Sequence, residues 1–222
     1  MERLSIASFL KHGHAFHLYS YGELENVPEG AAVMDGAQIL PRSAIFRYRE
    51  SGSYAGFANF FRYKLLLEKG GWWVDLDTVC LRPFDFPQDY VFASELDRGT
   101  TYVGNAVIRV PANSGFARHC CQVCQSKKSA ELRWGETGPR LAKEAVETLG
   151  LQESVRPPET FCPVPYREWM RVLDPAIKLV FGESSYAIHL WQEMWRRNNK
   201  DKDARYHPGC LYEKLRANYL DR

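Results

Sequence analysis

Two acidic side chains, Asp75 and Asp77, follow an apolar stretch at a spacing that suits divalent-metal chemistry. Residues two apart in an extended backbone point to the same side, so we expect both carboxylates to face one spot. Carboxylates held that close repel each other unless a cation or a proton lies between them. Their hard oxygen atoms favour Mn²⁺ or Mg²⁺, and such a metal could bind a diphosphate. The alternative is a pair of solvated acids in a turn, and this motif alone leaves both open.

The elements before this pair indicate how it is positioned. Residues 57–69 lack Gly and Pro, are rich in Leu and Phe, and end at a Gly-Gly pair, which predicts a helix with a glycine stop. Apolar residues cover most of its circumference, so we expect the helix to be buried. Arg62 is the exception, and a buried cation needs an anion, for which Asp75 is the natural partner. A strand over 72–76 then leads into the acidic pair.

The rest of the chain alternates between strand and helix patterns. This alternation favours an α/β sandwich with a mostly parallel sheet, in which ligands bind beyond the carboxyl ends of the strands. We expect a single domain over residues 1–222, with 166–222 as a C-terminal cap over the site. Helices are predicted at 2–12, 114–126 and 136–149, strands at 14–19, 90–94 and 105–110, short extended pieces at 33–41, and an extended Pro-rich segment at 155–165.

Composition narrows the class of protein. A chain of 222 residues with 45% hydrophobic content can bury one substantial core. The formal net charge of +2 argues against a nucleic-acid partner bound through its phosphates. No apolar run approaches the 18 residues typical of a membrane-spanning helix. The six cysteines do not form a disulfide framework, which favours a cytoplasmic location.

Three of the cysteines, Cys120, Cys121 and Cys124, follow His119 and raise the possibility of a zinc site. Structural zinc sites need a second pair of ligands at a defined spacing, which Cys162 and Cys210 do not supply. Small buried residues on a helix are the better interpretation.

The run of mixed charge over residues 195–205 is predicted to be solvated and could lie against an anionic membrane surface.

The stretch from Asn59 to Phe84 resembles the conserved region of the DXD-containing glycosyltransferases, the group of alpha-1,4-glycosyltransferases and capsular polysaccharide transferases. Similar segments follow in the same order at 104–108, 134–139 and 189–191, so the resemblance covers nearly the whole chain. It implies the GT-A fold and a retaining, metal-dependent transfer of a sugar from a nucleotide diphosphate donor, most simply uridine-linked, to a glycan or glycolipid acceptor in surface polysaccharide synthesis. The matching residues are Ala58, Asn59, Arg62, Tyr63, Gly70, Gly71, Asp75, Asp77, Leu81 and Pro83.

The same resemblance implies roles for individual residues. It places the metal, Mn²⁺ or Mg²⁺, on Asp77 and Asp75 and adds His189 as a third ligand, although a histidine in an apolar run is more commonly a core residue. Trp191 could donate its indole N–H to a phosphate oxygen, or could simply be a packed aromatic. Catalysis is assigned to Asp75, Asp77, Arg62 and Asn105.

Further residues are expected to bind the donor. Glu95, with Asp97, follows an apolar strand and could line the cleft. Thr137 and Gly138, with Glu136, begin a predicted helix whose N-terminus favours an anion or a polar sugar group. A helix-capping role for Thr137 is the alternative. The donor-binding set comprises Asn59, Arg62, Asp75, Glu95, Thr137, Gly138 and Trp191.

Two departures from the family pattern matter. Family members usually carry an additional strand before the first helix, whereas this sequence begins at the helix. Either the strand lies upstream of Met1, or the protein lacks part of the pocket for the base. Asn59 stands where many relatives have Asp; an amide can still bind a hydroxyl but carries no charge. These departures suggest one alternative function, a degenerate relative that binds glycans or a partner protein. The other alternative is a metal-dependent phosphohydrolase, which also uses paired Asp residues. A bacterial protein at the inner face of the membrane is the expected setting.

Overall fold

The computed structural model describes residues 1–220, in which helices and short strands alternate. In chain order the elements are α1 (Glu2–Lys11), β1 (Phe16–Ser20), β2 (Ala31–Asp35), α2 (Ala55–Lys69), β3 (Gly71–Val74), β4 (Thr78–Cys80), β5 (Val91–Asp97), β6 (Thr100–Val110), α3 (Gly115–Ser126), α4 (Pro139–Thr148), α5 (Pro158–Phe161), β7 (Ala187–His189), α6 (Gln192–Arg197) and α7 (Leu211–Tyr219). Short 3₁₀ turns join several of them, the longest over Tyr166–Leu173.

The predicted helices at 2–12, 57–69 and 114–126 are confirmed within two residues. Two extended segments were predicted wrongly. Residues after Asp35 form a 3₁₀ turn over Gly36–Gln38, because the Asp35 carboxylate accepts the Ala37 N–H and closes the chain locally. The segment 155–165 contains the short helix α5, since a proline at its first position suits a helix start.

The prediction of a mostly parallel sheet is wrong for the strands described. Strands β3, β6 and β5 form an antiparallel sheet in that order, and β4 pairs antiparallel with β7. Only β1 and β2 form a parallel pair of strands. The reason is local: Arg98 and Gly99 both have positive φ, which makes the two-residue turn of a hairpin between β5 and β6.

That hairpin also lengthens the strands beyond the predicted bounds. Glu95 and Asp97 lie within β5 instead of after it, and Asn105 lies in the middle of β6 instead of at its start. Glu95, Asp97 and Asn105 therefore project from a sheet that packs against the core, instead of from loops.

The core around this sheet is formed by α2, α3 and α4. Tyr63 and Leu66 from α2 are buried against Phe116 from α3 and Leu141 from α4. Cys120, Cys121 and Cys124 are free thiols buried in the same cluster, and burial raises the pKa of Cys121 to about 11. The packing interpretation of these cysteines is confirmed. Within residues 1–220, none of the helices combines the length and apolar character needed to cross a bilayer.

Candidate active site

The acidic pair lies on a tight turn between β3 and β4. The Asp75 N–H donates to Ala106 O at 2.8 Å, and the Thr78 N–H donates to Asp75 O at 2.9 Å. The backbone therefore reverses at 75–78, so the prediction of an extended Asp-x-Asp is wrong in its geometry. The two carboxylates nevertheless converge, because the turn, in place of strand alternation, brings them to one spot.

The partner of Asp77 is His189, which β7 delivers. Thr78 lies opposite His189 in the antiparallel pair of β4 and β7, so the histidine is placed beside the acidic turn. His189 Nε2 lies 3.1 Å from Asp77 Oδ1, and both side chains are about nine-tenths buried. The Asp77 main-chain oxygen accepts the Leu190 N–H, which locks the two segments together.

The second oxygen of Asp77 accepts the main-chain N–H of Gln192 at 2.8 Å. This contact exists because Trp191 adopts a left-handed backbone conformation, φ 57°, which turns Gln192 towards the carboxylate. Gln192 was not identified from the sequence, and no residue pattern would have revealed it.

Protonation in the site follows from these contacts. Burial would raise the pKa of Asp77, but His189 and the Gln192 N–H outweigh it and the pKa is lowered. Burial would lower the pKa of His189, but Asp77 outweighs it and the pKa is raised well above the ordinary value. Burial raises the pKa of Asp75 in spite of Arg62. The lowered pKa of Asp77 and the raised pKa of His189 both favour a carboxylate that faces a protonated imidazole.

Asp75 is held by Arg62, as predicted. The guanidinium donates to Asp75 Oδ1 at 2.6 Å and to Asn105 O at 2.6 Å. Trp73 donates its indole N–H to the same Asp75 oxygen at 2.7 Å. Trp73 stands two residues before Asp75, so the alternation of a strand was a signal that could have identified it.

A second polar group lies next to this one. Asn105 Nδ2 donates to Asn59 Oδ1 at 3.0 Å, and both side chains are at least nine-tenths buried. Gly138 packs against them so closely that an added Cβ would lie 3.1 Å from Asn59 Nδ2. Asn59 thus keeps its amide N–H₂ beside a glycine, where a side chain would crowd it, a suitable environment for a sugar hydroxyl.

The helix expected at 136–149 begins at Pro139, with Gly138 as its N-cap. The predicted capping role of Thr137 is wrong, because no side chain caps this helix and Thr137 lies in the turn before it. Thr137 is buried, and its hydroxyl has no hydrogen-bond partner among residues 1–220. Glu136 pairs with Lys127 at 2.6 Å and accepts the Arg133 N–H, so it fixes that turn.

Three of the residues predicted from the sequence, Trp191, Glu95 and Asp97, do not line the cavity of the site. Trp191 packs on His189 with ring centroids 4.0 Å apart and donates its indole N–H to Val164 O at 2.7 Å. Donation to a phosphate would require that bond to break. Burial raises the pKa of Glu95, a side chain near His189 and Asp75. Asp97 is bound to Arg167 and Tyr166, away from the acidic turn.

The acidic turn and the two asparagines open on a shared cavity of about 1050 Å³. The walls are largely aromatic and include residues of β1 and β3. Residues from α6 also contribute to its lining. The cavity is large enough for a nucleotide-sized ligand. Among the predicted site residues, Asn59, Arg62, Asp75, Asp77 and Asn105 line it.

The donor set fits a divalent cation. Ligand atoms of Asp75, Asp77 and His189 lie within 4.8 Å of one another. Two carboxylates and one imidazole suit Mn²⁺, and Mg²⁺ accepts the oxygens. Asp75 keeps Oδ2 free for a ligand because Arg62 and Trp73 both use Oδ1.

Comparison with known proteins gives two family matches. Residues 32–95 match the glycosyltransferase sugar-binding region containing the DXD motif. Residues 111–219 match the alpha 1,4-glycosyltransferase conserved region. The acidic turn falls in the first match and His189 in the second.

Two individual proteins are similar to this chain at low sequence identity. The human alpha-1,4-N-acetylglucosaminyltransferase is 25% identical over an alignment of 146 residues, and the match covers 60% of this chain and 41% of that protein. The chain therefore spans about two fifths of the length of that relative. A solved structure, the PaToxG glycosyltransferase, matches with a TM-score of 0.48 and 17% identity over 68% of this chain and 65% of that one.

Proposed function

Because the chain is a member of the DXD-containing glycosyltransferases, we propose that it transfers a sugar from a nucleotide diphosphate donor to a glycan or glycolipid acceptor. The observation that carries this proposal is the convergence of Asp75, Asp77 and His189, of which the two aspartates line a nucleotide-sized cavity. A uridine-linked donor and retention of the anomeric configuration follow from the family resemblance alone.

The charge of the leaving group is the chemical problem that the site must solve. Breaking the bond between the sugar and the diphosphate leaves extra negative charge on the diphosphate. Asp75, Asp77 and His189 would hold Mn²⁺ or Mg²⁺, which supplies Lewis-acid neutralisation of that charge. For this, His189 must present an unprotonated Nε2, so the proton between Asp77 and His189 has to leave.

The remaining residues of the site hold the two carboxylates in place and orient the transferred sugar. Arg62 fixes Asp75 and leaves its Oδ2 free, while the Gln192 N–H fixes Oδ2 of Asp77 and leaves its Oδ1 for the metal. Such fixed dipoles cost no reorganisation during the reaction. Asn59 and Asn105 would bind hydroxyl groups of the transferred sugar.

The test is hydrolysis of UDP-glucose, UDP-galactose and UDP-N-acetylglucosamine, with and without Mn²⁺. We expect metal-dependent release of UDP, which falls by at least about 100-fold in Asp77→Asn. Asp89→Asn, a change at an exposed acid, is the control and should behave as the wild type. Release of sugar phosphate instead of UDP would favour a phosphohydrolase and contradict the proposal.

Metal binding can be followed without turnover. A metal that binds the folded state at about 100 times its Kd stabilises it by about 2.7 kcal/mol. We expect Mn²⁺ to raise the thermal midpoint of the wild type and of Asp89→Asn, and to leave that of Asp77→Asn unchanged. Equal shifts in all three proteins would place the metal elsewhere.

A second candidate function is that of a degenerate relative that binds glycans or a partner protein. It rests on Asn59, which carries no charge and is engaged with Asn105. Calorimetric titration with UDP and Mn²⁺ distinguishes the two, because the transferase requires that both bind. Absence of heat at millimolar ligand would favour the degenerate relative.

We also propose the GT-A fold for one domain over residues 1–222, with 166–222 as the cap. Gln192, Glu193 and Arg196 support the cap because they line the cavity from α6. All six cysteines are free, which supports the expected cytoplasmic location. Surface polysaccharide synthesis in a bacterium, at the inner face of the membrane, stays an expectation from the resemblance.

A further inference from the structure

One wall of the cavity is an aromatic pair that the mechanism does not use. Trp134 and Tyr48 lie with ring centroids 5.4 Å apart, and both line the cavity. Trp134 is 41% exposed, whereas Tyr48 is only 5% exposed. The pair therefore presents the partly exposed indole of Trp134, which packs against the buried ring of Tyr48.

The base of this pair carries an unused polar group. The Tyr48 hydroxyl is buried and has no hydrogen-bond partner among residues 1–220. Burial raises the pKa of Tyr48, and the nearby Thr137 hydroxyl opposes the rise. The Thr137 hydroxyl is also unpartnered. Buried polar groups without partners are costly, so a ligand that satisfies them gains affinity.

These two features match the chemistry of a pyranose. Each sugar ring has a face of C–H groups that packs on an indole, and a rim of hydroxyls that donate and accept hydrogen bonds. An exposed indole beside unpartnered hydroxyls offers both kinds of contact. A purely apolar ligand would leave the Tyr48 hydroxyl unsatisfied.

The position of the pair decides which sugar it would hold. Gly138 packs against both asparagines that we assign to the transferred sugar, and its Cβ position lies 3.7 Å from Gly135 O. Gly135 directly follows Trp134, so the main chain of Trp134 lies close to Gly138, and Trp134 lines the same cavity as the two asparagines. In a transfer reaction, the sugar held beside the transferred unit is the acceptor.

We propose that Trp134 and Tyr48 form the subsite for the acceptor sugar, with Trp134 as its stacking platform. This inference rests on the proposed function, since it defines the acceptor relative to the donor. It makes the acceptor a terminal pyranoside of a glycan or glycolipid. Arg197, whose guanidinium lies 4.9 Å from the Trp134 ring centroid, also pairs with Glu193 at 2.8 Å. A sugar could displace it, because such exposed contacts contribute only about 0.5–1 kcal/mol.

The binding test needs no turnover. The six tryptophans yield six indole N–H signals in a ¹⁵N spectrum, and Trp134→Phe assigns one of them. Methyl β-galactoside, methyl β-glucoside and methyl β-N-acetylglucosaminide are then titrated with UDP and Mn²⁺ present. We expect at least one glycoside to shift the Trp134 signal. If uridine or UDP alone shifts it and no glycoside does, the platform binds the base and the proposal is overturned.

The kinetic test separates this inference from the proposed function. The ratio of transfer to a p-nitrophenyl glycoside over donor hydrolysis is measured for each variant. Trp134→Ala should lower this ratio by at least about tenfold, equivalent to 1.4 kcal/mol, and Tyr48→Phe by less. Tyr102→Ala, at a similarly exposed aromatic that does not line the cavity, is the matched control and should leave the ratio unchanged.

The outcomes remain distinguishable. An unchanged ratio in Trp134→Ala with normal donor hydrolysis would overturn the subsite and leave the transferase intact. Failure of the wild type to hydrolyse any donor would contradict the proposed function, whereas the glycoside titration would still decide whether Trp134 binds a sugar.

Discussion

Arg62 donates to the Asp75 carboxylate at 2.6 Å and thereby joins helix α2 to the turn that carries the acidic pair. The same guanidinium reaches the main chain of β6 at Asn105. One buried cation therefore connects the acidic turn, where we propose that the metal binds, to the neighbouring strand at Asn105, where we propose that the sugar binds. The planar fork of arginine allows this, because two of its N–H groups point to two acceptors at once.

Replacing Arg62 by Lys should preserve the charge and lose one of the two contacts. We expect kcat/KM for donor hydrolysis to fall by about 10- to 100-fold, because Asp75 would be less well fixed. Arg62→Ala should cost about 1–3 kcal/mol of unfolding free energy, because a partly buried carboxylate loses its cation and keeps only the Trp73 N–H. Urea unfolding and steady-state kinetics measure the two effects. Arg140→Lys, at an exposed site on α4, is the control, and equal losses in both lysine variants would refute the role of Arg62.

Replacing Gly138 by Ala should disturb the asparagine pair. The new Cβ would lie 3.1 Å from Asn59 Nδ2, so the amide must shift by a few tenths of an ångström. We expect a higher KM for the donor and a lower kcat, with little change in thermal midpoint. Gly115→Ala, where the nearest atom outside the helix is 3.8 Å away, serves as the comparison. If both variants keep wild-type kinetics, this pair does not bind the donor sugar.

The Gly-Gly turn separates backbone strain from steric clash. Gly70 and Gly71 have φ of 63° and 82°, but only a Cβ on Gly70 would collide, at 2.3 Å from Ala112 N. Gly71→Ala should cost about 1–2 kcal/mol for its left-handed backbone. Gly70→Ala should cost at least about 2 kcal/mol more, because backbone atoms must move. Chemical denaturation gives both values, and equal losses would mean that the close approach to Ala112 is relaxed in solution.

The contact of α1 with the C-terminal region should depend on pH. Glu2 accepts from Lys202 at 2.6 Å and from Gln192 at 3.1 Å. Burial opposes ionisation, but Lys202 outweighs it and the pKa of Glu2 is lowered below 4.5. Its contribution to stability is therefore complete above pH 4.5 and is lost as the pH falls through the lowered value.

Comparison of Glu2→Gln with the wild type tests this sign. We expect the variant to be less stable by about 0.5 kcal/mol at pH 7, because the pair is partly exposed. The difference should shrink as the pH falls below 4.5. Glu25→Gln, at an exposed acid, should show no such trend. A difference that grows at low pH would contradict the assignment.

Much of the local structure could be read from residue types. Helix α2 follows from its apolar periphery and the glycine stop, and the need of buried Arg62 for an anion indicated Asp75. The burial of Cys120, Cys121 and Cys124 followed from their helix. The parallel sheet was wrong because strand–helix alternation does not reveal a hairpin, although Arg98–Gly99 was a readable turn signal.

The sequence by itself determined which side chains could do chemistry: a pair of carboxylates, a buried arginine and a later histidine. Only the tertiary structure decided how they meet. Asp75 and Asp77 converge through a turn, and His189 reaches Asp77 because β7 pairs with β4 across more than 100 residues of chain. Gln192 joins them through a main-chain N–H, which any residue type could supply. Long-range strand pairing and main-chain hydrogen-bond donors do not depend on particular residue types. The metal-ligand residues could therefore be predicted from the sequence, whereas their geometry could not.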